Sequence, residues 1–173
     1  MRLERVTVSA PPGAAEMLRE LGTGDRGFSG TSFGRGETDL AGYLRACVDG
    51  ENPATLASGF VPQTVYWMID DAQQLVGMLR LRHCLNDNLL QHGGHIGYYV
   101  RPAARGKGHA KQALRMALDR LREMGVTRAL LTVDPSNEPS IRVVLANGGR
   151  ADTQARHPET GQIVNRYWVD LPI

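Results

Sequence analysis

The sequence predicts an α/β fold, and two patterns and the chain length carry that prediction. Residues 95–149 alternate strand-like and helix-like patterns in the order β-α-β-α, and the last 20 residues have the pattern of a β-hairpin. A chain of 173 residues and 18.9 kDa fits one domain. Folding at this length buries roughly 70% of the unfolded surface, which is enough for a core without disulfides or metals. We therefore expect a single domain over residues 1–173.

The composition excludes several classes of protein. It is 42% hydrophobic and 22% charged, which is typical of globular proteins rather than of disordered ones. The apolar runs are too short to span a bilayer, and the first residues lack an apolar run of signal-peptide length. Two cysteines, Cys47 and Cys84, are too few for a disulfide framework or a four-cysteine zinc site. We expect a cytoplasmic protein with reduced thiols and no membrane partner.

The first third of the chain predicts a strand and two helices around a loop. Residues 2–9 alternate weakly and indicate a strand, and residues 14–21 indicate a short helix. Residues 22–36 contain six glycines and predict a mobile loop. This loop is either a connector or a segment that closes over a ligand. Residues 37–49 place apolar side chains on one helical face.

The middle of the chain predicts three strands. Residues 64–69 and 74–83 are rich in β-branched and large apolar side chains and flank a turn. Residues 84–94 read as a polar loop that ends in two glycines. Residues 95–101 indicate a third strand, which Pro102 ends.

A long amphipathic helix follows. Seven apolar residues between 110 and 124 recur at helical spacing, and Gly125 stands where a left-handed C-terminal cap belongs. The remaining elements follow in order: a buried strand at 126–133, a helix at 138–146 that Asn137 caps, and hairpin strands at 151–156 and 163–171.

The loop between strand 95–101 and this helix has the chemistry of a phosphate site. Gly106 and Gly108 lack a Cβ, so an anion can approach their backbone, and the free amides of a helix start point toward it. Arg105, Lys107 and Lys111 add positive charge. The loop fits neither the Walker pattern nor the dinucleotide-binding G-x-G-x-x-G pattern.

The hexapeptide RGKGHA, Arg105–Ala110, is similar to the acetyl-CoA pyrophosphate loop of the GNAT superfamily of N-acetyltransferases. The later Asn137-x-x-Ser140 with the turn NGG at 147–149 resembles that superfamily's next helix, and the resemblance covers residues 64–149. It implies a GNAT-type acyl-CoA N-acyltransferase fold, with a mixed, mostly antiparallel central sheet flanked by helices. The stretches LRHCLN, GGHIGYYVRP and RYWVDL further resemble a bacterial subgroup of predicted acetyltransferases whose acceptors are unassigned.

The resemblance implies a role for each residue of the matched motifs. Backbone groups of the strand would pair with the pantetheine arm, the loop amides would hold the pyrophosphate, and Asn137 would contact the cofactor near its thioester as well as cap its helix. The implied acetyl-CoA-binding residues are Tyr98, Tyr99, Val100, Arg105, Gly106, Lys107, Gly108, His109, Ala110, Lys111 and Asn137.

The implied reaction is direct transfer of an acetyl group to the primary amine of a small molecule or peptide. Many members of the superfamily carry a tyrosine that acts as the general acid, seven residues after the asparagine that begins the helix. This chain has Val144 at that position. Ser140 is the nearest hydroxyl in the motif but a weak acid. His95 lies about where some members have a glutamate that acts as the general base, and a histidine has a suitable pKa for that role. A lone histidine at the start of a strand is, however, more often structural. Lesser candidates for the base are His83, His92 and Asp134.

Several alternatives stay open. The missing tyrosine favours a catalytically weak acyl-CoA-binding sensor, and the formal charge of +6 over residues 101–122 raises a less favoured RNA-binding reading. No metal is expected, because the histidines lack neighbouring ligands at suitable spacing. Side chains expected on the acceptor side are Tyr43, Tyr66 and Trp67, beside the glycine-rich loop. Analogy with the superfamily suggests a homodimer through the terminal hairpin.

Overall fold

The structure is a computed structural model, and it describes residues 1–31, 36, 39–157 and 159–172. Its helices are α1 (Ala14–Leu21), α2 (Leu40–Asp49), α3 (Asp87–Gln91), α4 (His109–Glu123) and α5 (Glu138–Leu145). Its strands are β1 (Arg2–Arg5), β2 (Gly24–Asp25), β3 (Phe28–Ser29), β4 (Gln63–Ile69), β5 (Leu75–Arg82), β6 (Ile96–Val100), β7 (Arg128–Val133), β8 (Arg150–Ala151), β9 (Ala155–Arg156) and β10 (Ile163–Asp170). In this described part, no helix is both long and apolar enough to cross a bilayer.

Two main antiparallel sheets organise the molecule. The first has the strand order β1-β4-β5-β6, and the second has the order β7-β10-β8, with β9 paired to β10. Strands β2 and β3 form a separate two-stranded hairpin. The predicted α/β class and the mostly antiparallel sheet with flanking helices are confirmed.

The two sheets meet at the start of β6 and diverge beyond it. Gly94 and Leu131 form an isolated antiparallel bridge, and the His95 amide donates to the Leu130 carbonyl at 2.7 Å. No ladder between β6 and β7 continues past this point in the described residues, and the sheet order keeps the strands in separate sheets. A gap therefore opens between the end of β6 and β7.

Apolar side chains cover both faces of the first sheet. Leu114 and Leu121 of α4 pack in a cluster on one face, and Met17 and Leu18 of α1 pack in a cluster on the other. Successive side chains of β4 pack alternately into the two clusters. Because both faces of the strand are buried, its side chains form a continuous apolar run. Coverage on both faces fixes the sheet register, because a slip of one residue would exchange the two faces.

Several elements differ from those predicted from the sequence. The stretch 84–94 is not all loop, because Asn86 caps the five-residue helix α3 by accepting from the Leu89 amide at 2.9 Å. The first strand ends at Arg5 rather than at residue 9. Part of the glycine-rich loop is the hairpin β2–β3, while residues 32–35 and 37–38 lie outside the described residues.

Candidate active site

A cavity of about 550 Å³ opens where the two sheets diverge, between the end of β6, the start of α4 and the inner side of α5. It gathers most of the site residues predicted from the sequence. Those lining it are Tyr98, Tyr99, Val100, Arg105, Gly106, Gly108, His109, Ala110, Lys111, Asn137 and Ser140. Lys107 is exposed and lies between two lining glycines, but neither Lys107 nor His95 lines the cavity.

One end of the cavity is a row of backbone donors. Gly106 and Gly108 adopt left-handed φ angles of 78° and 81°, which only glycine reaches without strain. Gly108 caps α4 without any side-chain cap bond, so the first amides of the helix have no partner within it. These amides and the positive end of the helix dipole favour a bound anion at this end.

Positive charge surrounds that end unevenly. The Arg105 guanidinium is ion-paired with Asp25, and its Nε donates to the Val100 carbonyl at 3.0 Å. Lys111 has no carboxylate partner among the described residues and lines the cavity. The Nδ1 atom of His109 is buried without a hydrogen-bond partner at the same helix start. The loop thus holds unsatisfied donors and a free cation.

The wall formed by β6 carries free backbone groups. The Arg101 amide donates to the Val76 carbonyl at 2.9 Å, and Val100 lies opposite Gly77 in the register of β5 and β6. Because amides alternate in direction along a strand, those of Tyr98 and Val100 point away from β5 and into the gap. An extended chain with amide groups can pair with this open edge.

The other wall is the start of α5. Asn137 Oδ1 accepts from the Ser140 amide at 3.3 Å, and Asn137 Nδ2 donates to the Arg26 carbonyl at 3.1 Å. The Tyr98 hydroxyl donates to Ser140 Oγ at 3.0 Å, which joins β6 to α5 across the cavity. Burial raises the pKa of Tyr98, while the bond to Ser140 opposes that rise. Tyr98 therefore stays protonated at neutral pH.

His95 joins the two sheets rather than facing the cavity. Its ring is only 5% exposed, and Nδ1 accepts from the Leu130 amide at 3.0 Å. Burial, with the nearby Arg82 charge, lowers the pKa of His95 to about 4. His95 therefore has the structural role that the sequence analysis gave as the alternative to a general base. It does not reach the cavity and cannot act as the base there.

The expectation that Tyr66 and Trp67 lie on the acceptor side is wrong. Trp67 is 1% exposed and packs beneath α1 and α2, and Tyr66 is 9% exposed in the opposite cluster, so neither lines the cavity. Val144 is fully buried, so its side chain belongs to the core. Sequence reasoning also missed Asp25 and Arg26, which the β2–β3 hairpin brings to the cavity rim. The glycines around them were the only signal, and glycines do not specify which side chains a turn presents.

The chain resembles known acetyltransferases in sequence and in fold. Residues 37–148 match the family described as Acetyltransferase (GNAT) family. No curated protein matches the chain.

Among solved structures, a chimera of Vibrio cholerae spermidine N-acetyltransferase SpeG and hSSAT is 15% identical, with a TM-score of 0.67 over 98% of this chain and 95% of that one. A putative GnaT-family acetyltransferase from Bordetella pertussis is 18% identical, with a TM-score of 0.65 over 96% and 93%. Vibrio cholerae spermidine N-acetyltransferase in complex with CoA and spermine is 18% identical, with a TM-score of 0.51 over 63% and 66%. At these identities the structural likeness establishes the fold. The match over well over half of the sequence establishes more: this chain belongs to the GNAT family of acetyltransferases and is an N-acetyltransferase.

Proposed function

We propose that this enzyme transfers an acetyl group from acetyl-CoA to the primary amine of a small molecule or peptide. The observation that carries the proposal is the cavity, which runs from the free amides at the start of α4, past the open edge of β6, to Asn137. Its donors suit an anionic, amide-rich ligand. Spermidine and spermine are the first acceptors to test, because solved neighbours are spermidine N-acetyltransferases.

Each part of the cavity would have a separate task. The backbone of Gly106 to Lys111 would bind the diphosphate, and the amides of Tyr98 and Val100 would pair with the pantetheine arm. Asn137, whose side chain bridges α5 and the β2–β3 hairpin, would lie beside the thioester. When bound, acetyl-CoA supplies a carbonyl that an amine can attack directly, without an acylated side chain.

Location and assembly stay predictions. Cys47 and Cys84 are both free thiols, which supports the predicted cytoplasmic location. A homodimer through the terminal hairpin β9–β10 rests on the superfamily analogy alone.

Thermal unfolding with and without acetyl-CoA tests the cofactor. At about 100 times its dissociation constant, a ligand that binds only the folded state stabilises it by roughly 2.7 kcal/mol. For a protein of this size, we expect the midpoint to rise by about 5–10 °C. Dephospho-CoA, which keeps the diphosphate and pantetheine, is the control for dependence on the terminal phosphate. An unchanged midpoint at millimolar acetyl-CoA would contradict the proposal.

Release of CoA then tests the acceptor class. A panel of spermidine, spermine, amino-acid esters and short peptides is offered at saturating acetyl-CoA, and free thiol is measured. We expect the rate to rise above background hydrolysis with at least one primary amine. Tight cofactor binding without a gain from any amine would instead favour the sensor reading.

A further inference from the structure

Two hydroxyl groups from different elements of the fold meet in the cavity. Tyr98 lies on β6 and Ser140 on α5, and the Tyr98 hydroxyl donates to Ser140 Oγ at 3.0 Å. Within the described part of the chain, neither hydroxyl has another side-chain partner, and both residues line the cavity. The two residues are 42 positions apart in the sequence, so the fold itself brings them together.

The pair lies toward the end of the cavity opposite the pyrophosphate loop. Asn147 Nδ2, just beyond α5, donates to the Lys111 carbonyl at 3.4 Å and thus marks the loop end. Ser140 is seven residues earlier, which is about 10 Å along a helix at 1.5 Å per residue. Asn137, beside the proposed thioester position, is one turn further in the same direction and accepts from the Ser140 amide. A ligand anchored at the loop would bring its reactive end to the two hydroxyls.

The direction of the hydrogen bond leaves one proton available. A tyrosine hydroxyl has a single proton, and Tyr98 gives it to Ser140 Oγ. Ser140 therefore accepts from Tyr98 and keeps its own proton to donate to a third group in the cavity. A hydroxyl that accepts one bond becomes a stronger donor in the next. Ser140 also lies in the first turn of α5, where the helix dipole favours negative charge on that third group.

We propose that Ser140 donates to the sulfur of CoA and that Tyr98 is the positioning residue that polarises Ser140 and resupplies its proton. This inference rests on the proposed acetyl transfer. The amine nitrogen forms a bond to the thioester carbonyl carbon, the C–S bond breaks, and its electron pair goes to sulfur. The Ser140 proton moves to sulfur as the Tyr98 proton moves to Ser140 Oγ, and Tyr98 regains a proton from water. The proton in excess on the amine leaves to solvent.

The pair takes over a task that the core residue Val144 cannot perform. Val144 is fully buried and aliphatic, and its Cγ1 would lie 2.4 Å from a Cβ placed on Gly149. A hydroxyl therefore reaches the sulfur side of the cavity from β6 and from the first turn of α5 instead.

The test measures the pKa of the CoA thiol when it is bound to the protein. Donors to sulfur stabilise the thiolate and lower that pKa, so the thiolate's ultraviolet absorbance is titrated against pH in the CoA complex. Variants are Tyr98→Phe, Ser140→Ala and the double variant, with Tyr167→Phe as the control. Tyr167 is a buried tyrosine of β10 that does not line the cavity.

We expect the thiol ionisation constant to fall about tenfold in Tyr98→Phe and further in Ser140→Ala, because a charge-assisted bond is weakened and then lost. In the double variant, Tyr98→Phe should add nothing, since Tyr98 acts through Ser140. Tyr167→Phe should match the wild type. The kcat for acetyl transfer should fall with the same order of variants, while the KM for acetyl-CoA stays constant.

The outcomes separate this inference from the proposed function. If CoA binds to the wild type but its thiol titrates identically in Tyr98→Phe, Ser140→Ala and the wild type, the inference is overturned and the proposed function stands. If CoA does not bind to the wild type, the proposed function fails. Should Tyr98→Phe not fold, an unchanged thiol titration in Ser140→Ala would overturn the inference alone.

Discussion

At the scale of the residue, two left-handed glycines distinguish the cost of backbone strain from the loss of cofactor affinity. Gly106 has a φ of 78° and Gly59 a φ of 87°, and a Cβ built on either would meet nothing within 4 Å. Only Gly106 lines the cavity. Alanine at either position forces the same left-handed backbone onto a residue with a Cβ, at about 1 kcal/mol.

We therefore expect Gly106→Ala and Gly59→Ala to lose similar stability in urea unfolding. Only Gly106→Ala should also lose affinity for acetyl-CoA, by about tenfold, because its methyl group keeps a diphosphate from the backbone amides. Titration calorimetry on both variants measures this difference. Equal affinities would mean that the loop backbone does not contact the cofactor.

His95 makes stability depend on pH. Its pKa of about 4 in the folded protein is below the value of about 6.5 in the unfolded chain, so the unfolded state binds more protons between these values. Stability is therefore complete above pH 6.5 and is lost as the pH falls toward 4. From pH 7 to pH 5 this residue alone accounts for a loss of about 2 kcal/mol.

His95→Asn is the matched variant, because an amide oxygen can accept from the Leu130 amide without titrating. We expect its unfolding free energy to fall less than the wild type's between pH 7 and pH 5, by about 2 kcal/mol. Urea titrations at both pH values give this difference. Parallel losses in the two proteins would show that His95 is not buried in its neutral form.

At the scale of the element, α5 and the β2–β3 hairpin are coupled through Asn137. Its Oδ1 caps the helix and its Nδ2 holds the Arg26 carbonyl. Asn137→Asp keeps the cap and loses the donor, whereas Asn137→Ala loses both. We expect Asn137→Ala to cost about 1 kcal/mol and Asn137→Asp to cost less.

Hydrogen exchange reports the other half of this coupling. Both variants should exchange the amides of residues 24–29 faster than the wild type, since both lose the bond to the hairpin. Slow exchange of the hairpin in Asn137→Asp would contradict this, and would mean that the Asp25–Arg105 ion pair and the contacts of Phe28 and Ser29 hold the hairpin without the Asn137 bond.

The elements also show what a sequence can reveal. Helix α4 was predictable from apolar periodicity over 15 residues and from Gly125 after its end. Helix α5 was predictable from its N-cap Asn137, because these signals are all local in the sequence. Helix α3 has five residues, too few for a periodic pattern. The contacts of Asp25 with Arg105 and of Tyr98 with Ser140 join residues 80 and 42 positions apart. No local pattern encodes them, so the cofactor loop was predictable and the cavity's rim and hydroxyl pair were not.

At the scale of the whole molecule, charge is concentrated but mostly compensated. The chain has a net charge of +2, and seven Lys or Arg side chains lie between residues 101 and 122. Four of the seven are ion-paired: Arg101 with Glu20, Arg105 with Asp25, Arg120 with Glu123, and Arg122 with Asp119. Lys107, Lys111 and Arg115 have no carboxylate partner in the described residues. The uncompensated charge therefore lies mainly at the start of α4, where a compact polyanion fits better than an extended nucleic acid.

Lys111 and Arg115 distinguish these two partners. Both are exposed, unpaired cations on α4, but only Lys111 lines the cavity. Lys111→Gln should weaken acetyl-CoA binding by about tenfold at low salt and less at high salt, because it removes a charge beside the diphosphate. Arg115→Gln should leave the dissociation constant unchanged, since Arg115 lies one turn further along α4 and does not line the cavity. Calorimetric titrations at two salt concentrations decide the matter. Equal, salt-sensitive losses of acetyl-CoA affinity in both variants would point to a diffuse basic surface. Binding of both variants to tRNA would then be measured to distinguish an RNA partner from a nucleotide cofactor.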